Sequence, residues 1–197
     1  MPDVSKHAAV LQDLKNGTIR TLGVSIGPVT ITPGLKIAKA GKNTELTYAA
    51  LSRIHTSDNS PSETHQTPKL TAPSDLPNNS SYTVICLDLD APFISWNFMS
   101  PIAHLIQTDL KISQEEGELE LKSCEPTLGP WVGAGPPPGA QPHRYVFYLF
   151  EQKDAGSSIA SKIKPFSTTQ RIRVDFDALV KQLGLGEIVA VNYFVSN

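Results

Sequence analysis

Cysteine is nearly absent: Cys86 and Cys124, 38 positions apart, are the only two in 197 residues. They form no Cys-x-x-Cys pair and no zinc-type spacing, which argues against dithiol redox chemistry and structural zinc and leaves two buried, reduced thiols as the expectation. Long hydrophobic runs are missing as well. No apolar stretch approaches the roughly 18 residues a spanning helix needs, so membrane contact is expected to be peripheral at most. The opening Met1-Pro2-Asp3-Val4-Ser5-Lys6-His7 has no basic segment followed by an apolar one, so the expected location is cytoplasmic. Charge of one sign is equally scarce. With a net charge of -2 and scattered Lys and Arg, there is no basic stripe and no aromatic-and-Arg ladder, which argues against nucleic acid as a partner. A phosphate-cradling loop and a nucleophilic Cys beside a His are lacking, and no standard catalytic motif stands out.

What is present is a globular composition, 40% apolar and 18% charged, with Leu, Ile, Val and Phe in discrete runs. The length fits one domain over residues 1–197. Asp3 to Lys15 carries Val4, Ala8, Leu11 and Leu14 at helical spacing with Asn16-Gly17 as a stop, and reads as a packing helix. From Thr18 to Leu35 the pattern becomes short strands broken by Gly and Pro. A second short helix is expected at Thr47 to Ile54. His55 to Ser81 is rich in Ser, Thr, Pro and Asn, which predicts a surface excursion with one short strand near Lys69 to Thr71. Further strands are expected at Tyr82 to Leu89, buried on both faces, at Ala103 to Leu110, at Arg144 to Phe150 and at Glu187 to Val195. Asp175 to Leu183 reads as a helix with Asp175 as N-cap and Gly184 as stop. The sum is a mainly β fold of stacked antiparallel sheets with a few peripheral helices.

Two segments carry chemistry. Asp88-Leu89-Asp90-Ala91-Pro92 closes one strand, and Gly135-Pro136-Pro137-Pro138-Gly139-Ala140-Gln141-Pro142-His143-Arg144-Tyr145 opens another. Side chains two apart on a strand share a face, so Asp88 and Asp90 are expected together, as are His143 and Tyr145. If the strands are neighbours, four hydrogen-bonding groups converge on a site for a small anion or carbonyl. His7, His55 and His65 fall in the helix and the loop, where exposure is the expectation.

Asp-x-Asp-Ala-Pro, a His 14 positions after Asp90, then Gly-Pro-Pro-x-Gly followed by His-Arg-Tyr-Val-Phe resembles the phosphatidylethanolamine-binding protein family. The likeness is specific over Tyr82 to Gln107 and Pro130 to Gln152, extends to Leu185 to Ser196, and is loose over the first 80 residues. It implies a Greek-key fold of two antiparallel sheets with an anion pocket at one end, formed here by Asp88, Asp90, His104, Pro137, His143 and Tyr145. Phosphate, acetate or a phosphoethanolamine head group is the implied ligand, with no metal and no cofactor. Three departures stand out. Leu89 replaces a Pro between the two aspartates and so frees an N–H. The run Phe93-Ile94-Ser95-Trp96-Asn97-Phe98-Met99 is more apolar than in many members, and the chain ends directly after its last strand. An open, apolar mouth built from Phe93, Trp96 and Phe98 is therefore expected.

In such a pocket His104 and His143 can donate to an anion. Asp88 and Asp90 would repel it if they faced it, so at least one carboxylate is expected to orient a histidine or to be protonated. Tyr145 and the Gly133-Ala134-Gly135 turn add donors. Three functions fit. The first is a binding or regulatory module for a small anionic or amphipathic ligand, reporting to a protein partner. The second is an enzyme or accessory of fungal secondary metabolism, coupling alkyl-substituted anhydride or dicarboxylate units, with His104, His143, Asp88 and Asp90 as acid–base groups. The third is a carboxypeptidase-type protease inhibitor.

Overall fold

The computed structural model describes residues 5–37, 66–95, 98–115, 117–154 and 156–197. The expected helix at Thr47 to Ile54, the histidines His55 and His65, and Trp96 lie outside them.

Tyr82–Asp88 (β6) and His143–Gln152 (β9) form the centre of the molecule, because both strands can be buried on either face. On β9, Tyr145, Phe147 and Leu149 point one way, and Val146, Tyr148 and Phe150 the other. The first face packs against Val24, Ile26, Leu70 and Leu121 from other strands. The second packs under Leu11 and Leu14 of helix α1 (Ser5–Asn16) and Phe176 and Leu179 of helix α2 (Phe176–Gln182). Near-continuous apolar sequence is what a strand covered by a sheet on one side and helices on the other requires.

The remaining strands are β1 (Arg20–Thr21), β2 (Gly23–Ile26), β3 (Val29–Thr30), β4 (Leu35–Ile37), β5 (Lys69–Thr71), β7 (Ile102–Glu115), β8 (Glu118–Lys122) and β10 (Leu185–Ser196). They follow the order β1-β10-β9-β6-β7-β8-β5-β2-β3, with β4 also on β10. Strands β6, β7 and β8 are consecutive neighbours, and β9 returns beside β6, giving the spatial order of a Greek key. Most pairings are antiparallel, but β1 and β4 run parallel to β10. These two short parallel pairings add to the antiparallel sheets expected from sequence. They arise because the chain enters from α1 and lays two short strands beside its own C-terminal strand.

Strand β7 is longer than the Ala103 to Leu110 expected from sequence and continues to Glu115. It pairs with β6 up to Leu110 and with β8 from Lys111 onward, so one strand turns the corner between two sheets. Asp109 stands at that corner with φ +59, a conformation Asp tolerates better than most residues. Its carboxylate accepts from Ile159 N at 3.0 Å and Ala160 N at 2.9 Å, which ties the 157–163 loop to the bend. Strand β8, Glu-Leu-Glu-Leu-Lys, is an addition to the strands expected from sequence; it is five residues long and its alternation puts Leu119 and Leu121 on one face.

Helix boundaries follow local chemistry. The Asp175 side chain accepts from Ala178 N at 3.0 Å at the start of α2, and Gly184 at φ +63 stands just past its end. Two exposure expectations are corrected. His7 is buried, because its ring shares a 2.7 Å hydrogen bond with Tyr148 Oη and meets Phe176 edge-on at 5.0 Å. Cys124 is exposed, just beyond the end of β8, whereas Cys86 is buried in β6. Among the described residues no helix is long and apolar enough to cross a membrane.

Candidate functional site

A cavity of about 410 Å³ opens where the ends of β6, β7 and β9 meet. Asp88 is the last residue of β6 and stands opposite Tyr145 in register, so His143, two residues before Tyr145, shares its face. His143 Nδ1 donates to Asp88 Oδ2 at 2.8 Å, and its Nε2 lies 3.2 Å from Pro92 O. Both ring nitrogens face acceptors, which is the hydrogen-bond demand of an imidazolium. Burial alone would push its pKa down. The hydrogen bond and charge of Asp88, with Asp90 and the Pro92 carbonyl behind them, outweigh burial and hold it above 6.5.

His104 reaches the same cavity by a different device. Cys86 pairs with Leu105 and Leu87 with Ala103, so His104 is an extra residue inserted in β7. A bulge of this kind re-aims a side chain and shifts the pairing register by one residue beyond it. Val132 N donates to His104 O at 2.9 Å, and His104 Nδ1 donates back to Val132 O at 2.6 Å. That bond fixes the tautomer. Nε2, 4.0 Å from Asp88 Oδ2, keeps the lone pair. Burial lowers the His104 pKa below 6.5 against the opposing pull of the Val132 carbonyl and Asp88.

Tyr145 and Pro137 also line the cavity, with Gly133 and Gly135 from the loop before β9. Burial first, and then the charge of Asp88, hold the Tyr145 phenol well above its ordinary range, so it remains a neutral donor.

Asp90 does not join them. Its own N–H donates to Asp88 Oδ1 at 2.9 Å, a local turn that ends the strand and with it the alternation. Its carboxylate instead takes three bonds from Arg144: backbone N at 2.9 Å, Nε at 2.8 Å and an η nitrogen at 2.6 Å. Leu89 N, the group a proline would lack, donates to Arg144 O at 3.1 Å. The Asp-Leu-Asp segment thus divides its labour: Asp88 serves the cavity and Asp90 pins β9 to β6.

The mouth is apolar, though not built as expected. Pro92 and Met99 line the cavity and flank a loop whose ends are clamped by a 3.1 Å bond from Ser100 Oγ to Ala91 O. Phe93 is half-buried and, like Phe98, is not among the lining residues. Ile94 at 47%, Phe98 at 48% and Val132 at 50% are the exposed large apolar side chains among the described residues, and Val132 lines the cavity itself.

A family model described as Phosphatidylethanolamine-binding protein matches residues 30–194. The chain belongs to this family. Carboxypeptidase Y inhibitor of Saccharomyces cerevisiae is 38% identical over 95 residues, covering 42% of this chain and 43% of the relative. Phomoidride biosynthesis cluster protein N of Talaromyces stipitatus is 32% identical over 118 residues, 58% of each. The chain therefore spans about half the length of these curated relatives. Among solved structures, the crystal structure of carboxypeptidase Y inhibitor complexed with the cognate proteinase aligns with a TM-score of 0.66 at 23% identity, covering 98% of this chain and 92% of that one. A phosphatidylethanolamine-binding protein from Plasmodium vivax aligns at 0.59 and 15% identity, covering 95% and 96%. At such identities these structures establish the shared fold.

Several cavity residues lie outside the residues expected from sequence, among them Met99, Val132 and Arg171. Arg171 stands in a 3-10 turn, Thr169–Arg171, that runs beside the start of β7 and forms a fourth wall. Nothing in Ser-Thr-Thr-Gln-Arg-Ile marks it, because its placement depends on Ile172 pairing with Ile102, 70 positions away. Among the described residues no group of three or more His, Cys, Asp or Glu is arranged to hold a metal ion.

Proposed function

We propose that this family member is a binding module that captures a small anion, carboxylate or phosphate, in the cavity at the ends of β6, β7 and β9. The observation that carries the reading is the His143–Asp88 pair at 2.8 Å, with Tyr145 opposite in register. It sets the positive potential of a histidine held toward its charged form beside a neutral phenol donor, both lining one small buried space. His143 pairs with Asp88 at 2.8 Å, so the repulsion of an incoming anion by that carboxylate is reduced. A titration of the two imidazoles with phosphoethanolamine, followed by NMR, tests it. Shifts of both rings without any conversion support a module; no shift with any oxyanion overturns it.

A second reading is favoured by one further feature. His104 is held neutral with a lone pair on Nε2, while His143 is held toward the imidazolium, 4.0 Å and 2.8 Å from the same Asp88 oxygen. Groups pushed apart in this way suit a base and an acid. Together with the likeness to a biosynthesis cluster protein, this supports acid–base turnover of an alkyl-substituted anhydride or dicarboxylate. New product from such a substrate, lost in His143→Ala, would move the assignment there. Inhibition of a carboxypeptidase is supported by the likeness to the yeast inhibitor alone.

A further inference from the structure

The cavity contains a cation that the His/Asp geometry does not use. Arg171 is 8% exposed and lines the wall opposite β9, yet its side chain makes one hydrogen bond, Nε to Ala103 O at 2.8 Å. One η nitrogen is buried with no partner at all, and among the described residues no carboxylate forms an ion pair with the guanidinium. A guanidinium carries five N–H donors in a planar fork and cannot shed its charge, so a buried one without a carboxylate is an incomplete site. The two acids near the cavity are committed elsewhere, Asp88 to His143 and Asp90 to Arg144.

We propose that Arg171 is the group that grips the ligand, pairing its fork with two oxygens of a carboxylate or phosphate. The proposal rests on the reading of the cavity as an anion site and assigns the attraction within it. Both histidines are poor candidates for that task. His104 Nδ1 is committed to Val132 O, and His143 meets Asp88 and Pro92 O through its two nitrogens. What they leave is a cavity with one compensated charge pair, one neutral imidazole, one phenol and one uncompensated guanidinium. Such a cavity selects a planar or tetrahedral oxyanion over a neutral carbonyl compound. The Nε bond to Ala103 O presets the fork, since the guanidinium cannot rotate without breaking it. The lysine variant keeps the charge and loses the fork, so it separates charge attraction from two-point recognition.

The experiment is isothermal titration of the full chain with inorganic phosphate and with octanoate, and thermal unfolding with and without each, for the wild type, Arg171→Gln and Arg171→Lys. Gln retains a donor for Ala103 O and guards against a variant that merely fails to fold. The expected result is binding to the wild type, a loss of about 10- to 100-fold in Arg171→Gln, and an intermediate loss in Arg171→Lys. Without anion, Arg171→Gln is expected to melt no lower than the wild type, because an uncompensated buried charge has been removed, and added anion is expected to raise the midpoint most in the wild type, less in Arg171→Lys and least in Arg171→Gln. Tighter phosphate than octanoate binding points to a phosphorylated head group, and the reverse to a carboxylate. Equal affinities in wild type and Arg171→Gln would overturn the role of Arg171 while leaving the anion reading intact. Failure of the wild type to bind either probe would overturn both.

Discussion

Asp88 accepts the Nδ1 hydrogen of His143 at 2.8 Å from the neighbouring strand, and Asp90, two residues further on, accepts three bonds from Arg144. Two carboxylates that look equivalent in sequence therefore have different work, and they can be separated by substitution. Asp88→Asn is expected to weaken phosphate binding by about tenfold, and Asp90→Asn to leave it within about twofold. Calorimetry on the two variants checks this, and equal losses would place both in the ligand site.

The same pair predicts a pH signature. Burial by itself would lower the His143 pKa, and Asp88 reverses that, so the imidazole titrates above 6.5 in the wild type and below it in Asp88→Asn. A histidine whose pKa is raised by folding contributes stability in full below about pH 6.5, and that contribution is lost as pH rises through the folded value. The stability difference between wild type and Asp88→Asn is thus expected to be largest in mild acid and to shrink toward alkaline pH. Urea unfolding across pH 5 to 9 gives the measurement; a difference that grows with pH would reverse the assignment.

His104 is expected to behave in the opposite sense. Its folded pKa is depressed, so the unfolded chain takes up the proton first, and stability falls as pH drops from about 6.5 through the folded value. His104→Gln, neutral throughout, is expected to remove that acid-side loss. Nitrogen-15 NMR should find the Nδ1–H tautomer, since Nδ1 faces the Val132 carbonyl; an Nε2–H tautomer would contradict the geometry.

How much of this was open to a reader of the sequence depends on whether the determinant was local. The alternation of β9, the cap at Asp175 and the glycine after α2 are written in neighbouring residues, as is the shared face of His143 and Tyr145, whereas the meeting of that pair with Asp88 depends on β6 lying beside β9. The bulge that aims His104 is not periodic, so only family likeness suggested that residue. Asp90 was misplaced because a turn closed by Asp90 N on the Asp88 side chain ends the alternation one residue earlier than a strand pattern implies. Arg171 and buried His7 were invisible for a shared reason: each is positioned by a partner more than 60 residues distant, Ala103 O in one case and Tyr148 in the other.

Arg144 gives a stability prediction that leaves binding alone. Asp90 is buried, and Arg144→Ala would leave its carboxylate with only the Arg144 backbone N–H as a donor from that residue. Breaking a buried pair in this one-sided way costs about 2–4 kcal/mol, less where the cation is part-exposed as Arg144 is. A loss of about 2 kcal/mol in urea unfolding with anion affinity unchanged is expected. A loss of affinity without a loss of stability would assign Arg144 to the ligand.

The exposed rim distinguishes a lipid-like ligand from an inorganic one. Ile94, Phe98 and Val132 are all about half exposed, and Val132 lines the cavity beside the backbone that fixes His104. An alkyl chain leaving the cavity with its head group inside would cover part of this surface. At about 25 cal/mol per Å² of apolar area, losing some 40 Å² of contact costs roughly 1 kcal/mol, or about fivefold in affinity. Val132→Ser is therefore expected to weaken an alkyl phosphate by about fivefold and inorganic phosphate by less than twofold. Both ligands are titrated against the same preparation. Equal effects on the two, or none on either, would show that the rim does not meet the ligand and that its apolar side chains serve only the loop that carries them.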